Sequence, residues 1–244
     1  MIIDHTSIES RKIGTKLLTL FQECIAAEYI EFENSASCNY TLEEGVLKIY
    51  FEQSNGAQDW LNNLNFRAKV CCDDDTSSVW YCHGGFLSAW NYVKDFVYKA
   101  VNDNLNRLER VTVIGFSHGA GLSVLCHEFI YRSFPGLRER LQTYAFGCPK
   151  VYAGCEKGTD ISERWRTFFV IRNTDDIVTH LPPSFLGYFH VGNIISIGKR
   201  GKYSCYDCPD INAHRPENYV RELSDLSNGV SENDILIITD TEKV

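Results

Sequence analysis

The feature that most constrains this chain is the sequence Gly-Phe-Ser-His-Gly at residues 115–119, which lies between two apolar segments of different character. The β-branched run Val111–Ile114 precedes it, and a segment with apolar residues at helical spacing follows it. This order predicts a strand, a sharp turn with Ser117 at its tip, and a helix. Glycine is needed at both ends of the turn, because strand and helix approach so closely there that a β-carbon would clash. We therefore predict Ser117 as a nucleophile, and a turn without chemistry is the alternative.

The remaining pattern predicts an α/β fold. Ile8–Phe32 carries apolar residues at helical spacing, and a second amphipathic helix follows His83-Gly84-Gly85-Phe86. A hairpin is predicted over Asn39–Phe51, and strands over Thr143–Gly147 and Arg166–Ile171. This β-α-β-α-β order favours a mainly parallel sheet with helices on both faces, in which ligands bind at the carboxyl ends of the strands. No internal repeat or Pro/Ser-rich linker interrupts residues 1–244, which predicts a single domain.

Composition narrows the classes of partner. The 244 residues carry a net charge of −8, which argues against nucleic acid or an anionic membrane surface as the main partner. No apolar run approaches the roughly 18 residues of a membrane span. The first residues lack the basic and apolar segments of a signal peptide, so no leader is visible.

The ten cysteines are expected to be mostly free thiols. Only Cys205 and Cys208 have a spacing typical of metal ligands, and a second pair of that kind is missing. A local disulfide between these two is the other alternative. We expect neither a metal nor an organic cofactor. Free thiols and the absence of a visible leader favour a cytoplasmic over a secreted location.

A nucleophilic serine needs a base, usually a histidine held by a carboxylate, and in this fold class the chain order is serine, acid, histidine. Asp175 and Asp176 directly follow a predicted strand, and residue order does not distinguish between them. Three histidines lie downstream, at His180, His190 and His214. The last of these is favoured because it lies in a late loop before an amphipathic stretch, but the other two remain open.

Several segments outside the pentapeptide match one known family in order and spacing. They are Ser54–Phe66, His83–Trp90, Tyr144–Val151, Asp176–Pro183, Gly187–His190, and Ala213-His214 with the helix that contains Tyr219. Over the region from about Leu42 to Val220 the chain resembles the class 3 lipases, the filamentous-fungal type that also includes feruloyl esterases. The resemblance implies an α/β-hydrolase fold with a short lid. It also implies Ser117 as nucleophile, Asp176 as acid and His214 as base.

For the oxyanion hole, the resemblance implies the backbone amides of Ser54 and His118, with the hydroxyl of Ser54 helping. Trp60 and Leu61 would lie in the lid and contact substrate. The family usually has Arg-Gly before its oxyanion residue, whereas this chain has Glu52-Gln53. The side chain of His118 also departs from the usual leucine, and we expect it to point away into the helix.

The implied activity is that of a serine hydrolase that cleaves carboxylic esters through an acyl-enzyme, as a triacylglycerol lipase or a carboxylesterase. Its partner would be a small-molecule ester or lipid, with contact to a lipid–water interface, and the protein would act as a monomer. The altered residues before Ser54 motivate one alternative. In that alternative the chain is a non-catalytic lipase-like protein that binds an acyl ligand or a partner.

Overall fold

The strand that enters the pentapeptide lies inside the main sheet. The computed structural model describes residues 2–53, 68–71, 80–153, 161–199, 210–231 and 235–239. The strands are β1 (Ile2–Ile3), β2 (Ile30–Glu31), β3 (Ser37–Glu43), β4 (Val46–Phe51), β5 (Ala68–Cys71), β6 (Trp80–His83), β7 (Arg110–Phe116), β8 (Leu141–Phe146), β9 (Tyr152–Ala153), β10 (Phe168–Asn173), β11 (Tyr188–Phe189), β12 (Asn193–Ile197) and β13 (Ile235–Thr239). The helices are α1 (Ile8–Ala26), α2 (Gly84–Asn102), α3 (His118–Ser133), α4 (Ile161–Arg164) and α5 (Pro216–Asn228). Short 3₁₀ turns cover Leu105–Arg107, Pro135–Arg140, Ile177–His180, Ser184–Leu186 and Ile211–His214.

The main sheet has a parallel centre and antiparallel borders. Strand β7 pairs in parallel with β4 and β8, and the parallel run continues through β10 and β12. Antiparallel strands follow on both sides, β3 and β2 next to β4, and β13 and β1 next to β12. The predicted mainly parallel sheet is therefore confirmed. Because the carboxyl ends of parallel strands meet at one edge, the loops that follow β4, β7, β8 and β10 open toward the same side.

Helices cover both faces of the parallel strands. Along β7, Val111 and Val113 belong to the buried apolar cluster that includes side chains of α2 and α3. The alternate residues Ile114 and Phe116 belong to the cluster that includes side chains of α1 and α5. This alternation is expected for a strand that is buried on both sides.

Two features differ from the sequence-based expectation. Helix α1 ends at Ala26 and not at Phe32, because Ala27 is extended (φ −65°, ψ 147°) and the chain then pairs Ile30 with Cys38 of β3. A second, antiparallel sheet with the order β11-β9-β6-β5 was not predicted as a sheet. Its strands are only two to four residues long, so hydrophobic periodicity carries little signal for them. In the part of the chain that is described, no helix combines the length and the apolar character that a bilayer crossing requires.

Candidate active site

The predicted sharp turn is present, with Ser117 at its tip. The backbone of Ser117 has φ 58° and ψ −119°, a sparsely populated conformation that costs about 1–3 kcal/mol for a residue with a side chain. It is held in place by the Ser117 N–H, which donates to the Phe146 carbonyl (3.0 Å), and by the Ser117 carbonyl, which accepts from Gly121 N–H (3.2 Å). A β-carbon at Gly115 would collide with the backbone of Gly119. The predicted reason for glycine is therefore confirmed at that position.

A continuous hydrogen-bond chain joins three side chains that are far apart in sequence. The Nε2 atom of His214 lies 2.7 Å from Ser117 Oγ, and its Nδ1 atom lies 2.7 Å from Asp176 Oδ2. All three side chains are buried. Since an ionised carboxylate only accepts hydrogen bonds, Nδ1 carries the proton and Nε2 is the acceptor for the serine hydroxyl. This arrangement is able to remove the hydroxyl proton as the oxygen attacks an electrophile.

The loops that carry the carboxylate and the imidazole are joined by backbone hydrogen bonds. Asp176 forms an isolated parallel β-bridge with Asp210. In this bridge Asp210 N–H donates to the Asp175 carbonyl (2.7 Å). The side-chain amide of Asn173, the last residue of β10, donates to the Ala213 carbonyl (3.3 Å). These contacts fix the residue before His214 relative to the acid loop and present Asp176, not Asp175, to the imidazole.

Tyr219 is part of this network, and sequence reasoning did not give it a role. Its hydroxyl donates to Asp176 Oδ2 (2.6 Å) and accepts from the Asn173 N–H (3.1 Å). The other carboxylate oxygen of Asp176 accepts from the Val178 N–H (2.9 Å). Burial, followed by the neighbouring carboxylate, raises the pKa of Tyr219 well above its ordinary value, so the phenol stays protonated and remains a donor. The available sequence signal is its place on the first turns of a helix, five residues after His214.

The two competing histidines have other partners. The Nε2 atom of His190 lies 2.7 Å from the Thr179 carbonyl, and burial lowers the pKa of this residue to about 3. His180 ends the 3₁₀ turn after Asp176 and is partly exposed. Neither of them is hydrogen-bonded to Ser117, so the geometry separates His214 from the alternatives that residue order left open.

Of the residues predicted for the oxyanion hole, only His118 is described. It is the first residue of α3, where backbone N–H groups have no acceptor within the helix. Its ring is buried and stacks on Phe86, with ring centroids 5.3 Å apart. Burial lowers the pKa of His118 to about 4, so the ring is neutral at pH 7. Ser54, Trp60 and Leu61 lie outside the described residues.

Comparison with known proteins decides the family. The family model for Lipase (class 3) matches residues 48–186, which is more than half of the chain. The chain belongs to the class 3 lipase family. It is 31% identical to the lipase of Rhizomucor miehei over 156 residues, or 61% of this chain and 41% of that protein. It is also 32% identical to the secreted mono- and diacylglycerol lipase LIP1 of Malassezia globosa over 115 residues, or 46% of this chain and 37% of that protein.

The match to these two relatives spans only about two fifths of their length. A solved triacylglycerol lipase, whose catalytic centre is a serine protease triad, superposes with a TM-score of 0.63 at 21% identity. The superposition covers 80% of this chain and 82% of that one. This likeness confirms the α/β-hydrolase fold for this member of the class 3 lipase family.

The cysteines of this family member explain one wrong expectation. The Malassezia globosa relative is a secreted lipase, which contradicts the cytoplasmic location inferred from unpaired thiols. Five described cysteines are free and all are buried, namely Cys24, Cys38, Cys82, Cys126 and Cys148. Burial raises the pKa of Cys24 and Cys38 to about 12, so these thiols do not form the reactive thiolate. A free thiol that is buried therefore says nothing about the redox state of its surroundings.

Among the described residues, no three His, Cys, Asp or Glu side chains are grouped as a metal site requires. Cys205 and Cys208, the pair with metal-like spacing, lie outside the described residues.

Proposed function

We propose that this class 3 lipase is a serine hydrolase that cleaves the carboxylic esters of lipids. The observation that carries the proposal is the hydrogen-bond chain from Asp176 through His214 to Ser117, which ends on a hydroxyl in a strained turn. Two comparisons support it. A triacylglycerol lipase of the same fold uses a serine protease triad, and the Malassezia globosa relative is a mono- and diacylglycerol lipase.

The proposed mechanism is acyl transfer in two halves. Ser117 Oγ attacks the ester carbonyl while His214 Nε2 takes its proton, and Asp176 stabilises the imidazolium that forms. The amide of His118 and, in our proposal, that of Ser54 donate to the oxyanion of the tetrahedral intermediate. His214 then returns the proton to the leaving alcohol, which leaves an acyl-serine. In the second half, water loses a proton to His214 and attacks the acyl-serine, which releases the acid and restores the serine hydroxyl.

The proposal is tested with a soluble ester and an active-site probe. Ser117→Ala is expected to abolish hydrolysis of p-nitrophenyl butyrate above the background rate and to prevent labelling by a fluorophosphonate. Ser123→Ala is the matched control, because Ser123 is a buried serine of the same helix whose hydroxyl donates to the Ala120 carbonyl (2.7 Å). Equal rates for wild type and Ser117→Ala would contradict the proposal. Failure of the wild type to react with the probe would favour the non-catalytic alternative.

We also propose that the protein contacts a lipid–water interface through the loop that follows Asp176. Phe185 is 87% exposed, more than any other large apolar side chain of the described residues, and the neighbouring Leu186 is 45% exposed. These residues lie on the 3₁₀ turn Ser184–Leu186, which is held by a hydrogen bond from the Lys150 ammonium to Ser184 Oγ (2.6 Å). An exposed apolar side chain on a fixed turn beside the candidate site is suited to insertion into a lipid surface.

The ratio of activity on emulsified tributyrin to activity on dissolved p-nitrophenyl butyrate measures this contact. Phe185→Ser is expected to lower the ratio severalfold, because interface binding loses one fully buried aromatic side chain. Ile8→Ser is the matched control, since Ile8 is 73% exposed at the start of α1. An equal loss in both variants would contradict a specific role for Phe185.

We further propose that residues 1–244 form one domain that acts as a monomer. The parallel sheet supports this, because its strands come from residues 46–197 and its borders from both ends of the chain. Sedimentation equilibrium is expected to give the mass of a single chain, and denaturant unfolding a single transition. Two separate transitions would contradict the single domain.

A further inference from the structure

A small cleft lies beside the strained turn, on the side of α1. It has a volume of about 80 Å³ and lies between the end of α1 and the end of β4, with Tyr29, Glu52 and Phe116 among its lining residues. Glu52 lies at this cleft because side chains alternate between the two faces of the sheet along a strand. Tyr50 of β4 faces α1, and Glu52 lies two residues further along the same strand direction.

The cleft is next to the proposed nucleophile. Phe116 directly precedes Ser117, and its ring stacks on the imidazole of His214 with centroids 5.1 Å apart. The same ring meets Phe21 of α1 edge-on, also at 5.1 Å. Phe116 therefore lines the cleft and also packs against His214, the proposed base.

The carboxylate of Glu52 has no charged partner in the part of the chain that is described. It is partly buried, yet it accepts no hydrogen bond and forms no ion pair with a described residue. By contrast, Glu23 on the same face of the sheet binds the Lys48 ammonium at 2.7 Å.

Two polar neighbours of Glu52 in the cleft, Cys24 and Tyr29, are hydrogen-bonded to each other. The Tyr29 hydroxyl donates to the Cys24 carbonyl (2.5 Å). Burial, with smaller contributions that include the Glu52 charge, raises the pKa of the Cys24 thiol to about 12. The described lining residues thus place a negative charge near apolar and aromatic groups, and none of them is a cation.

We propose that this cleft is a subsite for a cationic group on the alcohol part of the ester. The inference rests on the proposed ester hydrolysis and names a substrate class for it. A partly buried carboxylate without a counter-ion favours a ligand cation, and an aromatic ring such as that of Tyr29 attracts ammonium groups. A volume of about 80 Å³ accommodates a compact head group but not a fatty acyl chain. The subsite is therefore assigned to the alcohol and not to the acyl group.

The test compares two esters of the same shape and different charge. Butyrylcholine carries a trimethylammonium group, and 3,3-dimethylbutyl butyrate carries a neutral tert-butyl group in its place. Glu52→Gln is expected to lower the ratio of kcat/KM for the cationic over the neutral ester about fivefold, which corresponds to about 1 kcal/mol. Glu52→Asp should retain most of the ratio, and added salt should lower the ratio of the wild type but not that of Glu52→Gln. Glu31→Gln, the same change at an exposed residue of β2, is the matched control.

The outcomes separate the subsite from the reaction. If Glu52→Gln changes kcat/KM for both esters by the same factor, the carboxylate acts on the site as a whole and the subsite is refuted. If the wild type hydrolyses neither ester, the proposed function fails, and the subsite is then judged by binding alone. In that measurement, butyrylcholine should bind Ser117→Ala about fivefold more tightly than it binds Ser117→Ala/Glu52→Gln in calorimetry. Equal affinities would overturn the proposal.

Discussion

The two ends of the same parallel sheet carry polar residues in very different ways. At the carboxyl ends, Ser117, Asp176 and His214 are buried and hydrogen-bonded to one another. At the amino ends, on the face of α1, a much larger cleft of about 730 Å³ has Lys16 and Arg110 among its lining residues. If size marked the site, the amino-end cleft would be the stronger candidate.

The amino-end cleft has a simple origin in strand register. Lys48, Thr112 and Gln142 are paired side by side on β4, β7 and β8, and they face the same side as the apolar residues two positions later. Helix α1 packs on that later apolar row, and the polar row lines the cleft. Lys48 is paired with Glu23, and the ammonium of Lys16 donates to the Tyr144 hydroxyl (2.5 Å).

The comparison teaches that hydrogen bonds converging on one side chain, and not the volume of a cleft, mark the candidate site. At the carboxyl end, two hydrogen bonds in series lead from Asp176 through His214 to the buried hydroxyl of Ser117. Among the described residues that line the amino-end cleft, none is a serine, cysteine or histidine. Its lysines bind Glu23 and the phenol of Tyr144, and its carboxylates, Glu43 and Glu44, are exposed, which is the ordinary state of surface charges.

The largest expected effect is at the carboxyl end. Asp176→Asn should lower kcat/KM for p-nitrophenyl butyrate by about 10⁴, because the amide no longer holds the imidazole in the tautomer that accepts the serine proton. Asp175→Asn, the adjacent buried carboxylate, should lower it far less. Circular dichroism checks that both variants are folded. A comparable loss in the two variants would mean that the acid has been assigned to the wrong residue.

A smaller effect is expected for the tyrosine that positions the acid. Tyr219→Phe removes the hydroxyl that donates to Asp176 (2.6 Å) and should lower kcat about tenfold with little change in KM. Tyr144→Phe is the matched change at the amino end, where the hydroxyl binds Lys16. An unchanged kcat for Tyr219→Phe would leave this residue with a packing role only.

Local patterns in the sequence were sufficient for the elbow and the parallel sheet, because both depend on short runs of apolar and β-branched residues. Residue order left Asp175 or Asp176, and three histidines, as candidates. The family resemblance selected Asp176 and His214, which are the pair joined in space across 38 residues. The role of Tyr219 and the bridge between Asp176 and Asp210 were missed, because they depend on contacts between distant loops that have no periodic signal.

Burial of His118 at the carboxyl end should make the protein less stable in acid. Burial lowers the pKa of His118 from 6.5 to about 4, so between these values the unfolded chain binds one more proton than the folded chain. The free energy of unfolding should therefore fall as the pH decreases from about 6.5 to 4, by about 1.4 kcal/mol per pH unit for this residue. His118→Leu should reduce that slope in urea unfolding at pH 5 and 7. His5→Leu, a partly exposed histidine before α1, serves as control, and equal slopes in wild type and His118→Leu would contradict the prediction.

The smallest effect is expected at the amino end. Lys16→Ala/Arg110→Ala removes two cations from the larger cleft and should change kcat/KM by less than twofold. The reason is distance, since β7 runs from Arg110 to Phe116 at about 3.3 Å per residue, or about 20 Å, which is twice the Debye length of about 10 Å at 0.1 M salt. The measurement uses both the dissolved and the emulsified ester, because the emulsified ester also reports an effect of these charges on interface binding. A tenfold loss on either ester would show that the two ends of the sheet are coupled, and the contrast between a site of convergence and a solvated cleft would then fail.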